Sequence, residues 1–473
     1  MNTTLTTPPA AVPRPPGPPS PWWGLPLLRA LSRDYLGFVQ RLQHAHGDIT
    51  YMHIGPEHAY DVFSPELVRA VLVEQADHFI RWERGIEVFS QVFGQGLLTV
   101  EGETWKRQHR LLRPGFAPRR VAGYAALMVD AARRALDDAV PPGQASARVE
   151  VDALMTRLTM DVILRTLFGR QARDEAREAS EATQALGRQA MREMFLPLTL
   201  PDWLPLPGKA RKRWALRTLH GLVDHHIDAR LHAQSADPAA VPTDDVLAMM
   251  LAARDEDAGD PEATGGGLSR AELHDQCLVI FQAGHETSAT ALLWWSRLMA
   301  EHPEIARRAR DEVDQVLAGR DPTPADLPRL DWLGATLKEA MRLYPPVPAL
   351  MSRRAVKDAQ VGPWRIPAGS LVRLTPWVLH HDPRWFPEPE VFRPERFTAD
   401  APPLPRGAWL PFGTGPRVCI GQHFAVLEMT LVAAMLLQRY TLAVESGEEI
   451  RPTAELNVTL RPKDGLPLTF GRR

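Results

Sequence analysis

Apolar positions along the chain follow two regimes. From about residue 118 to 320 they recur at three- and four-residue spacing in Ala/Leu/Arg/Glu-rich segments. That pattern predicts long helices, broken at prolines such as those of LPLTLPDWLPLPG (196–208). After residue 345 the apolar runs shorten and sit between Gly and Pro. GPWRIPAGSLVRLTPWVL predicts two short strands with a turn at Pro367-Ala368-Gly369. Upstream, YLGFVQRLQHAHGDI has helical spacing up to its glycine, and YMHIGPEHAYDVF predicts a hairpin around Gly55-Pro56. SPELVRAVLVEQ opens as helices do, with serine at the N-cap and proline behind it. DEDAGDPEATGGG (255–267) predicts a flexible acidic loop. One more helix follows Gly421, with Phe424, Leu427, Leu431 and Met435 on one face. No repeat and no clean linker divides the chain. The expectation is a mainly α fold with a minor β portion, in one domain over 21–473 behind a proline-rich flexible segment over 1–20.

Composition narrows this picture. Hydrophobic residues are 44% and charged residues 24%, in the range of a soluble globular protein. With 55 basic against 57 acidic residues and no long basic run, no nucleic-acid partner is expected. Two cysteines exclude a disulfide framework and a four-thiolate iron–sulfur cluster. WWGLPLLRAL (Trp22 to Leu31) is too short and proline-broken for a signal or a spanning helix. A cytoplasmic protein with no transmembrane anchor is expected. Trp22 and Trp23 either pack on the body of the protein or touch a membrane surface.

The candidate chemistry centres on FGTGPRVCIG (412–421). Cys419 lies just before a helix, where free N–H groups and the positive helix end stabilise an anion. Gly413, Gly415 and Gly421 let backbone come close to something flat, Pro416 stiffens the turn, and Arg417 can pair with an anion. Cys419 is either such a thiolate or an inert core thiol. In FQAGHETSA (281–289), Ala283, Gly284 and Thr287 share one helix face. They suit either room for a small molecule or a close helix contact. Thr287 can bond back to a carbonyl one turn earlier, and Glu286 is rotated about 100° away from it. Glu339 and Arg342 stand i, i+3, as a solvated pair or as part of something larger, and Trp105 and His109 stand i, i+4.

The cysteine loop resembles the haem-ligand loop of the cytochrome P-450 family, and the other stretches occur in that family's order from about Glu101 to the last helix. The resemblance implies that Cys419 is the axial thiolate on the iron of haem b (iron protoporphyrin IX). Phe412, Gly413 and Gly421 would pack beside it. Arg417, Arg353, Trp105 and His109 would serve the propionates, with Arg354 as the rival to Arg353. Ala283 and Gly284 would line the distal face, where Thr287 and Glu286 handle protons for bound O2. Arg396, in FRPERF, would close a structural cluster with Glu339 and Arg342. The implied activity is a monooxygenase acting on a hydrophobic substrate of fatty-acid, terpenoid, carotenoid or polyketide type. No dinucleotide fingerprint follows a strand, so a separate ferredoxin or flavodoxin with its reductase is expected. A peroxide-driven haem-thiolate enzyme and a non-catalytic haem- or hydrophobe-binding protein are the alternatives.

Overall fold

A computed structural model describes residues 13–169, 175–194, 200–237, 244–254, 266–444, 453–463 and 465–473. The chain forms two units, each gathered from three stretches. The first is Met1–Trp82, Ala349–Leu379 and Pro405–Pro416; the second is Glu83–Pro348, His380–Leu404 and Arg417–Arg473. Of the acidic stretch at 255–267, only Gly266 and Gly267 lie within the described residues, and 195–199 lie outside them.

The first unit holds most of the β structure that the short apolar runs predict. In chain order it contains helix α1 (Leu25–Arg33) and strands β1 (Ile49–Ile54), β2 (Glu57–Val62), β3 (Phe79–Arg81), β4 (Arg353–Ala355), β5 (Ala359–Val361), β6 (Trp364–Ile366) and β7 (Leu371–Leu374). The main sheet runs β1-β2-β7-β4-β3, and β5 pairs with β6. The hairpin forms around Gly55, whose φ of 57° suits a residue without a Cβ. The two strands flanking Pro367-Ala368-Gly369 are β6 and β7. They do not pair with each other, because β7 runs parallel to β2 in the other sheet. Asp61 and Arg373 face one another across that parallel pair, joined at 2.9 and 2.6 Å. Both are buried, so each neutralises a charge the other could not leave in apolar surroundings. The core beneath is built from Tyr60, Val62, Val68, Phe79, Val372 and Leu374.

The second unit carries helices α2 (Gly102–Leu112), α3 (Val151–Phe168), α4 (Arg270–Glu301), α5 (Asp331–Leu343) and α6 (Gln422–Arg439), with strands β8 (Ala454–Asn457) and β9 (Thr459–Pro462). Helix α4 is its axis. A capping box starts it: Glu272 N–H donates to Ser269 Oγ, and Ser269 N–H to Glu272 Oε2. Helices α3, α5 and α6 pack on it. Its indoles are fully buried but partnered: Trp294 Nε1 donates to the Leu460 carbonyl at 2.7 Å, and Trp295 Nε1 to Thr336 Oγ1 at 2.9 Å. The glycine at 284 gives Ile163 of α3 its room against α4. A Cβ there would sit 2.7 Å from Ile163 Cδ1, a clash. The vacant side of Gly284 therefore faces α3, and of the two readings of this glycine the close helix contact is the one seen.

Two of the buried carboxylates in this unit, Glu339 and Glu428, have no exposed surface at all, and they are treated oppositely. Glu339 is fully buried and heavily satisfied. Arg342 donates to it twice, at 2.7 and 2.8 Å, and Arg393 N–H donates at 3.0 Å. Arg396 Nε adds a fourth bond at 3.3 Å. Arg342 also donates to the His380 carbonyl, and Arg396 to those of Pro387 and Glu388. The cluster ties α5 to the chain at 380–397. Glu428, on α6, is equally buried, yet neither of its oxygens closes a well-formed hydrogen bond with the described residues. Burial pushes its carboxyl up to about 8, and the Ser288 hydroxyl beside it draws it only partly back.

Glu339→Ala leaves two guanidinium groups without their counter-charge and should cost about 3–5 kcal/mol, read by chemical denaturation. The sign for Glu428 is the reverse. The folded chain holds a proton that the unfolded chain has lost, so stability falls as pH rises from about 4.5 through about 8. Glu428→Gln should match wild type near pH 4 and exceed it near pH 9 by roughly 2–5 kcal/mol in the same assay.

Candidate functional site

Helix α4 is buried along most of its length, and between Leu273 and Met299 Ala283 alone is exposed. Gly284 and Thr287 on the same face are half-buried. Ala283 and Thr287 therefore leave a clear patch on an otherwise covered helix, while the open side of Gly284 is taken up by Ile163. Thr287 Oγ1 donates to the Ala283 carbonyl at 2.9 Å, the back-bond its i−4 spacing allows. His285 turns the other way. It is buried, Nδ1–H donates to the Phe281 carbonyl, and burial pushes its pKa down to about 4, so it stays neutral.

Glu286 points away from that patch, toward the β8–β9 hairpin. Thr459 Oγ1 donates to its Oε1 at 2.9 Å, and Arg461 Nε lies 3.6 Å from the same oxygen. Burial raises the pKa of Glu286, and the Arg461 charge works against that rise. Arg461 Nη1 in turn pairs with Asp152 at the start of α3 and donates to Thr156 Oγ1 at 3.3 Å. The Nε and Nη2 of Arg461 are buried and make no hydrogen bond to the described residues, leaving polar atoms for water beside Glu286. Asp152, Thr459 and Arg461 carry no local signal. They meet Glu286 from about 130 and 170 residues away.

Cys419 precedes α6, whose N-cap is Gly421. As a residue Cys419 is exposed, whereas Cys277 is buried in α4. Protein crowded around the sulfur raises the Cys419 pKa, and the Gly421 N–H lowers it. Burial pushes the Cys277 thiol up as well, with no hydrogen bond acting to lower it. Arg417 is engaged rather than free. It pairs with Glu101, donates to the Val100 carbonyl at 3.0 Å, and stacks 4.1 Å over Trp105. Trp105 in turn stacks on His109 at 4.9 Å. Burial first, then Arg113 and Arg417, lowers the His109 pKa, so this ring offers a neutral N–H. Glu101 is the partner that the i, i+4 spacing did not reveal. Of the neighbouring cations, Arg107 pairs with Glu272 at 2.6 Å and Lys106 with Glu103 at 2.7 Å.

The remaining candidates belong to the first unit. Phe412 and Gly413 are half-buried, and Gly413 has a φ of 70°. Gly415 is the tighter position: with φ at 78°, a Cβ there would lie 1.9 Å from the Leu72 carbonyl oxygen. On β4, Arg354 makes two bonds to Glu57, at 2.5 and 2.8 Å. Arg353 alternates to the opposite face of the strand and donates to the Met351 carbonyl.

A haem needs an uncovered sulfur for its iron, and cationic or N–H donors for its propionates. The exposed Cys419, the clear Ala283–Thr287 patch, and the Arg417, Trp105 and His109 group fit that need in kind. The model of the family described as Cytochrome P450 matches residues 14–470. Cyclooctatin synthase from Streptomyces melanosporofaciens is 34% identical over 449 residues, covering 94% of each chain. Pentalenene oxygenase from Streptomyces avermitilis is 31% identical over 429 residues, covering 90% of each. Echinocystic acid 23-monooxygenase from Saponaria officinalis is 31% identical over 471 residues, covering 95% of this chain and 87% of that one. The chain belongs to the cytochrome P450 family and is a haem-iron oxidoreductase of the monooxygenase type.

Proposed function

We propose that this chain binds haem b through Cys419 and inserts one oxygen atom from O2 into a hydrophobic terpenoid, with electrons from a separate ferredoxin or flavodoxin. The observation that carries the reading is an exposed cysteine residue, Cys419, in the same unit as a clear patch on α4, where Ala283 is exposed and Thr287 stands beside it. The terpenoid class is supported by relatives that are terpenoid monooxygenases. The residues one turn before the patch agree with an apolar guest: Val279 and Ile280 lie on the same side of α4 as Ala283.

When bound, haem iron with a thiolate ligand supplies the oxygen-activating chemistry. The protein's part is to hold, orient and deliver protons. Cys419 is presented at a helix N-terminus, which favours the thiolate once a metal displaces its proton. Arg417, the neutral His109 and Trp105 would meet propionates, with Glu101 giving up its hold on Arg417. Of the two β4 arginines Arg353 is the candidate for a propionate, since Arg354 is committed to Glu57. Thr287 gives its hydroxyl to a ligand at the patch in exchange for its bond to Ala283. Glu286, with its pKa raised, carries a proton on the Arg461 side. A turn of its side chain, or a water beside Arg461, brings that proton to Thr287.

Cys419→Ser should abolish the thiolate-type Soret shift of the reduced CO complex while the chain stays folded by circular dichroism. An unchanged spectrum would refute the ligand. Thr287→Ala should lower product formed per electron consumed, about tenfold or more, with the difference appearing as peroxide. H2O2-driven turnover that equals the O2-driven rate and ignores this substitution would favour the peroxide-using alternative. A spin-state shift on binding polycyclic terpenoids, absent with fatty acids, tests the substrate class.

A further inference from the structure

Residues 13–33 hold three arginines and no acid. Their proline-rich part is extended and fixed along β1. Tyr51 N–H donates to the Pro16 carbonyl at 3.0 Å, His53 N–H to Ser20 Oγ at 3.1 Å, and Gly55 N–H to the Trp23 carbonyl at 2.7 Å. The approach is close enough that a Cβ at Gly17 would lie 1.8 Å from the Tyr51 carbonyl oxygen. The segment is thus held in place rather than trailing.

Directly after it, three successive residues are left-handed: Trp22 at φ 49°, Trp23 at φ 57° and Gly24 at φ 74°. Glycine adopts this conformation freely, but for two bulky residues with a Cβ it is strained. The strain is not repaid by packing. Trp22 is 80% exposed, Trp23 75% and Leu25 61%. Helix α1 continues the same logic. Leu27 and Leu31 face inward, while Arg29 and Arg33 are exposed toward its C-terminal end. The outer surface thus grades from aromatic and aliphatic to cationic.

That gradient matches a lipid–water boundary. Indoles settle at headgroup level, and arginines a few residues on reach the phosphates. The charge complement is an anionic surface. A second copy docking through the same face would set arginine against arginine. Among the described residues no helix is long and apolar enough to cross a membrane, so the contact is with the surface. We propose that Trp22, Trp23 and Leu25 form an interfacial anchor that docks this chain on an anionic lipid surface, with Arg29 and Arg33 on the headgroup phosphates.

The test uses the full chain and flotation with vesicles of phosphatidylglycerol and phosphatidylcholine, against phosphatidylcholine alone. Wild type should float with the anionic vesicles. A Trp22→Asn, Trp23→Asn double variant should lose at least about tenfold in partition, and Arg29→Gln, Arg33→Gln several-fold. Asparagine tolerates the left-handed turn, so the melting temperature of the first variant should hold or rise, which separates lost docking from lost folding. Three results would overturn the proposal: wild type that stays in solution with every vesicle, equal flotation of wild type and the tryptophan variant, or a wild-type dimer or protein complex that this variant dissolves while vesicles go unbound.

Discussion

The site depends on one helix keeping Ala283 uncovered, with Thr287 half-buried beside it, while nearly everything else on it is packed. Helix α4 manages this by spending its bulk on other faces. Trp294 and Trp295 are buried and hydrogen-bonded toward its C-terminal half, Leu273 to Phe281 fill the N-terminal half, and Gly284 draws α3 into contact. The open patch is a by-product of that economy, because a helix so firmly held can tolerate small residues where a core would want large ones. A larger residue at Ala283 would fill the space without disturbing a single packed neighbour on the other faces.

Charge organises the surroundings of that patch. The second unit contains a carboxylate with four donors (Glu339), one with a hydroxyl and a more distant guanidinium (Glu286), and one with no well-formed bond to the described residues (Glu428). The carboxylate with its full set of donors fixes geometry. Where partners are few, burial raises the pKa, as it does for both Glu286 and Glu428. Arg461 lies between these cases, since it balances Asp152 against Glu286 with two of its nitrogens unsatisfied.

How much of this was legible in the sequence depended on range. Features set within one turn of chain were readable: the Ser64 cap, the Gly55 hairpin, the Thr287 back-bond, and the last helix starting after Gly421. Glu339 and Arg342 were visible as a pair, but Arg393 N–H, which shares the same carboxylate, was not, because backbone donors leave no mark in a pattern of side chains. The pairing of β7 with β2 joins segments some 310 residues apart, so the local turn at Pro367-Ala368-Gly369 could not reveal it. Glu101 on Arg417 and Arg461 on Glu286 were hidden for the same reason. Gly284 shows the limit most clearly. Its small size was legible, but whether the freed space served a ligand or a neighbouring helix was a question only Ile163 could answer.

The chain passes between the two units five times, at Trp82, Pro348, Leu379, Leu404 and Pro416. The last passage falls inside the cysteine loop, with Gly413 and Gly415 assigned to one unit and Arg417 and Cys419 to the other. Neither unit is therefore a contiguous stretch of gene. Recombination between relatives at a single junction would always carry part of one unit into the other, and a graft of either would need three segments exchanged together. Diversity in such a chain is more easily gained by point substitution on the open face of α4 than by exchange of modules.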